Sequence, residues 1–558
     1  MIAVGPLDPD ACSRAIASRD PRFDGVFFVG ISTTGIYCRP ICPARVSYPE
    51  RRRFFHSAAA AEQDGFRPCM RCRPELAPGR AVCDAVPRVA RAAAMRIAAG
   101  ALNGRSVADL AQELGVSERH LRRSMERELG VGPIELAQTH RLLLAKCLLT
   151  DTRLPVTQVA FASGFQSLRR FNSVFQQRYR MSPTRLRQRP TSASSPELAV
   201  GPPGDWIRVT LGYRPPLAWE ALIATVAGDT PAGVGEVDGS RYSRTVALGK
   251  CRGVIFLEPA EGAQVNVDLS VSLLPALMPL LARIRHLLDL DAEPQVIDAH
   301  LAEGGLGELV AERAGLRLPG AFDGFEVAAR ELIGPELLGR VSRELGEPID
   351  TGISFLDRLA PSAERVAEAG GPFLLELGVP ERQADTLAAL AQAVVRGTLR
   401  LEPGCDVPDT LRRLSQVPGL DTRTTTAIVM RALHWPDAFP AADPRLQRAA
   451  GVTNAGALLH IAEQWRPWRG YAAAHLWAAG SWELGAGGSQ EAGAFRRSGG
   501  QPVRRSDVRS HCEGAKRPKQ SSGLREHAAG LPRALRALAM TTDPPTGRPA
   551  VTTSPTGS

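Results

Sequence analysis

Apolar positions recur with a helical period along most of this chain, give way once to alternation, and lose all period in a few polar runs. Ser106-Val-Ala-Asp109 opens like a capping box, Val107, Leu110, Ala111 and Leu114 follow at helical spacing, Gly115-Val116 makes a turn, and Ser117 caps a second helix. A second copy runs from Pro155 through Val159, Ala160 and Phe161 to Gly164-Phe165. The helix after it turns Leu168, Phe171, Phe175 and Tyr179 inward and Arg169, Arg170 and Asn172 outward. Each copy predicts a helix-turn-helix. One copy alone reads equally as an ordinary helical hairpin, so the pairing of two carries the weight.

Residues 205–268 hold short β-branched, partly alternating runs at 206–211, 242–248, 253–257 and 264–269, set apart by Gly and Pro, which predict antiparallel strands. After Ser270 the pattern turns helical again. Near the C-terminal half Leu414-Ser-Gln-Val-Pro-Gly419 separates two helical patterns as a helix-hairpin-helix, in which the backbone N–H groups of a Gly-rich turn hold one DNA phosphate. Composition breaks near 73–80, 189–204, Pro319 and Gly485 divide the 558 residues. The expected units are 8–80, 85–189, a linker 190–204, 205–318, 319–485, and a Gly/Ser/Pro/Arg-rich tail 486–558 that should be largely disordered.

Charge sharpens this division. Residues 1–190 carry 30 Lys+Arg against 16 Asp+Glu, residues 191–485 carry 26 against 37, and residues 486–558 carry 12 against 5. The basic front half suits a polyanion, whereas any nucleic-acid contact in the acidic middle must be local. No run of about 18 apolar residues occurs, and residues 1–22 hold acids and prolines where an export leader would be basic and then apolar. The expectation is a cytoplasmic protein with no membrane partner.

Ten cysteines are too few for a disulfide scaffold, and four form two tight pairs, Cys38-Arg-Pro-Ile-Cys42 and Cys69-Met-Arg-Cys72, 26 residues apart. Each pair can hold one face of a tetrahedral Zn²⁺ from a turn. Spacing alone leaves open whether such a site is purely structural or reactive.

Around these cysteines, Phe23-Asp-Gly-Val-Phe-Phe-Val-Gly, Thr33-Thr-Gly-Ile-Tyr-Cys38-Arg-Pro-Ile-Cys42-Pro-Ala-Arg45 and Gly65-Phe-Arg-Pro-Cys69-Met-Arg-Cys72-Arg-Pro-Glu75 resemble the amino-terminal domain of the Ada family. The resemblance implies a zinc thiolate that takes a methyl group from a methylphosphotriester in a single turnover. Cys38 would be the acceptor, with Cys42, Cys69 and Cys72 as the remaining ligands. Arg39, Arg45, Arg67, Arg71 and Arg73 are candidate phosphate contacts.

The segment from Ala160 to Thr184 resembles the AraC-type DNA-binding domain, which implies Arg119, Arg122, Arg123, Arg169, Arg170 and Asn172 as base or phosphate contacts. Met430-Arg-Ala-Leu433, Pro436-Asp-Ala-Phe-Pro440, Asp443 and the run from Trp465 to Trp477 look like AlkA-type, helix-hairpin-helix glycosylases for 3-methyladenine. Residues 205–318 resemble that family's amino-terminal domain. This implies Asp443 as catalytic carboxylate, Gly419 in the DNA-holding hairpin, and Trp465 or Trp468 lining the pocket for a flipped base. Three features depart from the family. Asp421 stands where the hairpin's second glycine is expected, Arg423 and Ala427 replace pocket aromatics, and the helix after Gly334 reads as shortened. An acid at a phosphate-holding turn is unfavourable.

The fold class expected is multidomain α+β: a small zinc domain, an all-α double helix-turn-helix domain, an α+β antiparallel-sheet domain and an all-α helix-hairpin-helix glycosylase domain. The function implied is an alkylation-damage repair protein and transcriptional regulator, active on alkylated and promoter DNA in a bacterial cytoplasm, associated with the nucleoid, with RNA polymerase as a further partner. The alternative is a methyl-sensing transcription factor whose glycosylase domain is inactive, or an ordinary zinc-stabilised transcription factor. No segment resembles the Ada family's second, Pro-Cys-His-Arg domain, and Cys12, Cys83, Cys147, Cys251, Cys405 and Cys512 read as incidental.

Overall fold

The computed structural model describes residues 7–79, 89–188 and 206–486. The expected linker, Cys83, Cys512 and all of the expected tail except Ala486 lie outside them. No helix among the described residues is long and apolar enough to cross a membrane.

The first unit opens with helix Pro9–Ser18, whose first turn is capped by the Asp8 side chain. A four-stranded sheet follows, in the spatial order Arg52–Phe55, Phe28–Ile31, Ile36–Cys38, Arg67–Pro68; its last pair is parallel and the others antiparallel. These strands have two to four residues, too short for alternation to show in the sequence.

Seven helices come next. The Ser106 capping box is present with Asp109, and Ser117 caps helix Glu118–Leu129 through the His120 N–H. Ser167 caps Leu168–Tyr179 in the same way, and Phe165, Phe171, Phe175 and Tyr179 stack edge-on in a row behind it. Helix Pro133–Asp151 joins the two copies and is apolar on several sides, as a helix buried between neighbours must be. Its Leu136 and Ala137 pack with the first copy. Its Leu142, Ala145, Leu148 and Leu149 belong to a core that continues into Ile207, Val209, Val267 and Leu269 of the next sheet.

That sheet has five antiparallel strands ordered Trp206–Gly212, Gln264–Ser270, Cys251–Ala260, Arg241–Leu248, Gly235–Asp238. Helix Trp219–Asp229, which the strand pattern of residues 205–268 does not predict, lies between the first two of these in sequence. Its buried Trp219, Leu222, Ile223 and Val226 stand at i, i+3, i+4 and i+7, so the signal was present but submerged in an apolar run.

Helix Leu277–Leu287 packs in the core of this sheet, and the helices beyond it form two further cores. One gathers Gly324–Leu345, Ala363–Glu376, Glu381–Val395, Val407–Leu414 and Thr422–Ala432. Where the sequence suggested a missing piece, Gly324–Leu345 runs on through a kink, with Gly334 at φ +79° ahead of Pro335. The other core joins Leu301, Leu306 and Leu309 to Leu446, Leu458, Trp465 and Leu476, so side chains from both sides of position 319 share it.

Candidate functional site

Strand Ile36–Cys38 ends on the first cysteine, and the Cys69 N–H bonds the Tyr37 carbonyl at 3.0 Å, which brings the two cysteine turns together. The sulfurs of Cys38, Cys42, Cys69 and Cys72 all lie within 4.8 Å of one another. Four soft donors this close fit one thiophilic dication, and the donor set is that of zinc. Left to themselves the sulfurs share protons: hydrogen bonds among them lower Cys42 to about 7 and lower Cys69, while they raise Cys38 and Cys72. Such a cluster cannot carry full negative charge without a cation.

Peptide N–H groups distinguish the four. Arg39 donates to Cys72 at 3.3 Å and Arg71 donates to Cys69 at 3.4 Å. Among the described residues neither Cys38 nor Cys42 has such a donor, and both are partly open to solvent, whereas Cys69 and Cys72 are buried.

The nearby arginines divide into two sets. Arg39 is buried against Asp24 and the Cys72 carbonyl, and Arg73 is held by Glu75 at 3.0 Å and by Asp151. Neither faces a ligand, because internal carboxylates hold both. Arg45 and Arg71 are exposed and Arg67 is partly so.

The zinc unit docks on the helices through buried polar groups. Glu62 accepts hydrogen bonds from the Tyr37 hydroxyl at 3.1 Å and the Thr139 hydroxyl at 2.8 Å, and Lys146 meets Glu75 at 2.5 Å. Burial raises the Glu62 carboxyl from an ordinary 4.5 to about 7. A raised folded value means that stability is complete below the unfolded value and declines as pH rises from about 4.5 to about 7. Glu62→Gln should therefore stabilise the protein above pH 7 by up to roughly 3 kcal/mol and by far less near pH 5. Unfolding midpoints of variant and wild type compared at each pH check this; a difference that does not vary with pH contradicts it.

On the two reading helices, Arg119, Arg123, Arg169, Arg170 and Asn172 are exposed. Arg122 is half-buried and paired with Glu118 at 2.6 Å, a contact that a phosphate would have to displace.

The hairpin is present between Val407–Leu414 and Thr422–Ala432. Gly419 has φ +86°, and a Cβ there would lie 2.0 Å from the Thr386 hydroxyl oxygen, which is engaged with the Arg382 carbonyl. Gly419→Ala should cost about 2–4 kcal/mol, combining a left-handed alanine with overpacking. Thermal unfolding measures it, and a loss below about 0.5 kcal/mol contradicts the contact. Asp421 caps the second helix, its carboxylate accepting from the Thr424 N–H at 2.6 Å. One of the free amides at the start of this helix is thus already occupied.

Asp443 is the N-cap of Pro444–Ala449 and is 4% exposed. One carboxylate oxygen accepts from the Arg445 N–H at 2.8 Å; the other accepts from the Trp477 indole N–H at 3.1 Å and pairs with the Arg445 guanidinium at 3.1 Å. The carboxyl lies below the usual range because these hydrogen bonds outweigh its burial. The cap and the functional candidate are the same residue.

Both candidate pocket tryptophans pack in a hydrophobic core. Trp465 is wholly buried, donates its indole N–H to the Gly304 carbonyl at 2.8 Å and packs edge-on against Phe439. Trp468 is nearly as buried and packs against His300. The tryptophan that touches Asp443 is Trp477, one end of the run in which the sequence singled out the other two. Helical spacing could have found it: Ala473 and Leu476 fall in the core, which leaves Trp477 on the side facing the Asp443 cap.

Three family models match the chain: the metal binding domain of Ada over residues 11–75, a helix-turn-helix domain over 110–189, and the AlkA N-terminal domain over 208–323. A probable bifunctional transcriptional activator/DNA repair enzyme AlkA of Mycobacterium tuberculosis is 36% identical over 483 residues, covering 84% of this chain and 96% of the relative. DNA-3-methyladenine glycosylase 2 of Escherichia coli is 33% identical over 284 residues, covering 49% of this chain and 98% of its own length. The bifunctional transcriptional activator/DNA repair enzyme Ada of Escherichia coli is 45% identical over 71 residues, 13% of this chain and 20% of that one. Four clustered cysteines, two capped helix-turn-helix units, a five-stranded sheet and a helix-hairpin-helix thus occur in one chain that matches such a relative nearly end to end, and the chain belongs to the family of bifunctional Ada/AlkA-type transcriptional activator and DNA repair enzymes.

Proposed function

We propose that this chain receives a methyl group from DNA methylphosphotriesters on Cys38 and releases alkylated bases such as 3-methyladenine by N-glycosidic cleavage at Asp443. The observation that carries the first half is the distribution of N–H donors around the sulfurs. A hydrogen bond to a thiolate draws off electron density, so Cys69 and Cys72, each holding a peptide N–H, are the weaker nucleophiles; of the two partly open sulfurs that remain, Cys38 and Cys42, the resemblance to the Ada family makes the first the acceptor. Zinc, when bound by Cys38, Cys42, Cys69 and Cys72, supplies the positive charge that keeps all four sulfurs deprotonated near neutral pH.

The Cys38 sulfur attacks the methyl carbon. A sulfur–carbon bond forms, the carbon–oxygen bond breaks, and its electron pair leaves on the phosphate, which becomes an ordinary diester anion. The thioether cannot be displaced again, so each chain acts once. Methylation removes one negative charge from a face that meets the DNA backbone, which lowers repulsion and tightens binding. The exposed Arg119, Arg123, Arg169, Arg170 and Asn172 then read promoter DNA in the major groove, with Arg122 joining if it leaves Glu118. Recruitment of RNA polymerase and residence on the nucleoid follow from this role as activator.

In the second activity the Asp443 carboxylate stabilises positive charge on the deoxyribose as the C1′–N bond breaks and its electron pair leaves with the base; water then adds to the sugar. Trp477 holds the carboxylate in place. Gly419 keeps the hairpin close to the DNA strand.

A second reading, a methyl-sensing activator with a silent glycosylase, is favoured by Asp421 on the hairpin amide and by the Arg445 guanidinium on Asp443. Incubating the full chain with duplex DNA that carries methylphosphotriesters and 3-methyladenine, then measuring methyl on protein and free base in solution, separates the two. Both products support the bifunctional reading; methyl transfer with no base release leaves only the sensor.

A further inference from the structure

The Asp443 carboxylate is fully subscribed. Its partners are the Arg445 peptide N–H at 2.8 Å, the Arg445 guanidinium at 3.1 and 3.4 Å, and the Trp477 indole N–H at 3.1 Å. A carboxylate has about four acceptor positions, so none is left for a developing sugar cation or an incoming water. Two of these contacts belong to the fold. The peptide N–H is the helix cap, and the indole is fixed by helix Arg469–Ala486.

The guanidinium differs. The Arg445 side chain is 67% exposed, whereas that of Asp443 is 6% exposed, and its charged end lies 5.8 Å from the centre of the Trp477 ring. An ion pair with one partner in water contributes about 0–1 kcal/mol, little enough to be exchanged. A phosphodiester offers the same guanidinium two oxygens in matching geometry and adds counterion release. The surroundings make that exchange matter, because residues 191–485 carry 26 Lys+Arg against 37 Asp+Glu and depend on individual exposed cations to hold DNA.

We propose that Arg445 is a positioning residue that covers Asp443 in the DNA-free protein and moves to a backbone phosphate beside the extruded nucleotide, uncovering the carboxylate only on bound DNA. This rests on Asp443 acting in base release as described above. Both features that favoured a silent glycosylase are then no longer alike: the Asp421 contact is part of the fold, while the Arg445 contact is a reversible cover.

The test uses the full chain with Arg445→Ala and Arg445→Lys. Binding to a short duplex containing an uncleavable tetrahydrofuran abasic site is measured across salt concentrations, and base release from a 3-methyladenine duplex is followed across pH under saturating, single-turnover conditions. Loss of one phosphate contact in Arg445→Ala should reduce the slope of log K against log salt by about 0.9, and lysine should restore it. The acid limb of the saturated rate, which reports the DNA-bound state, should fall at the same pH in Arg445→Ala as in the wild type. An unchanged salt slope, a loss that lysine does not restore, or an acid limb that moves up in Arg445→Ala overturns the proposal, the last because it means the guanidinium stays on the carboxylate during chemistry. The same slopes measured in an Asp443→Asn background decide the phosphate contact independently. Should Asp443→Asn release base as fast as wild type, the assignment of Asp443 fails instead.

Discussion

Asp443→Asn should slow single-turnover release of 3-methyladenine by about 10²–10⁴-fold while leaving the fold intact. The two effects separate because asparagine is as good a helix N-cap as aspartate. Its side-chain oxygen can still accept the Arg445 N–H that starts helix Pro444–Ala449, so the change in stability should stay within about 1 kcal/mol. What it removes is the negative charge held beside Trp477. Product release by chromatography together with an unfolding curve measures both quantities. A variant that releases base at the wild-type rate leaves Asp443 a cap and nothing more; one that unfolds shows that the ion pair with Arg445 was structural.

Cys38→Ala should abolish methyl uptake altogether if Cys38 is the acceptor, since Cys69 and Cys72 are buried and hold peptide N–H groups, and the one other partly open sulfur of the cluster is that of Cys42. Zinc affinity should fall as well, since one of four ligands is lost. Cys42→Ala serves as the control: it costs the metal centre the same ligand count, so retention of methyl transfer in Cys42→Ala and its loss in Cys38→Ala would separate nucleophile from ligand. The measurement is intact-protein mass after exposure to methylphosphotriester DNA, with zinc content determined on the same samples.

Much of this was legible in the residues themselves. Two short cysteine spacings specify a metal site wherever they fall, because the turn does the work and little else in the chain is needed. Ser106 and Ser117 mark helix starts for an equally local reason, an unpaired N–H that a hydroxyl satisfies. The family resemblance then pointed to Asp443 as a candidate, and the nearly full-length relative bears out the family itself.

What the residues did not show depends on distant packing. Trp465, Trp468 and Trp477 are equivalent on paper, and only the arrival of Gly304 and His300 decides that the first two are core. Arg39 and Arg73 look like surface cations until Asp24 and Asp151 meet them across the unit. The Arg445 contact was hidden for the opposite reason: it is so local, two residues past the cap, that periodicity does not register it. Likewise the core that runs from Leu148 into Val267 crosses a stretch whose composition suggested a break, because composition reports solubility of a segment and not which faces it joins.

The central claim is that one sulfur of the cluster is left nucleophilic by its surroundings and takes the alkyl group. Zinc-loaded wild-type protein is incubated with duplex DNA carrying isotopically labelled methylphosphotriesters, digested, and the label located by peptide mass mapping. The account predicts one label per chain, on Cys38, with none on Cys42, Cys69 or Cys72. Label on any other cysteine, or none while zinc is fully bound, contradicts it.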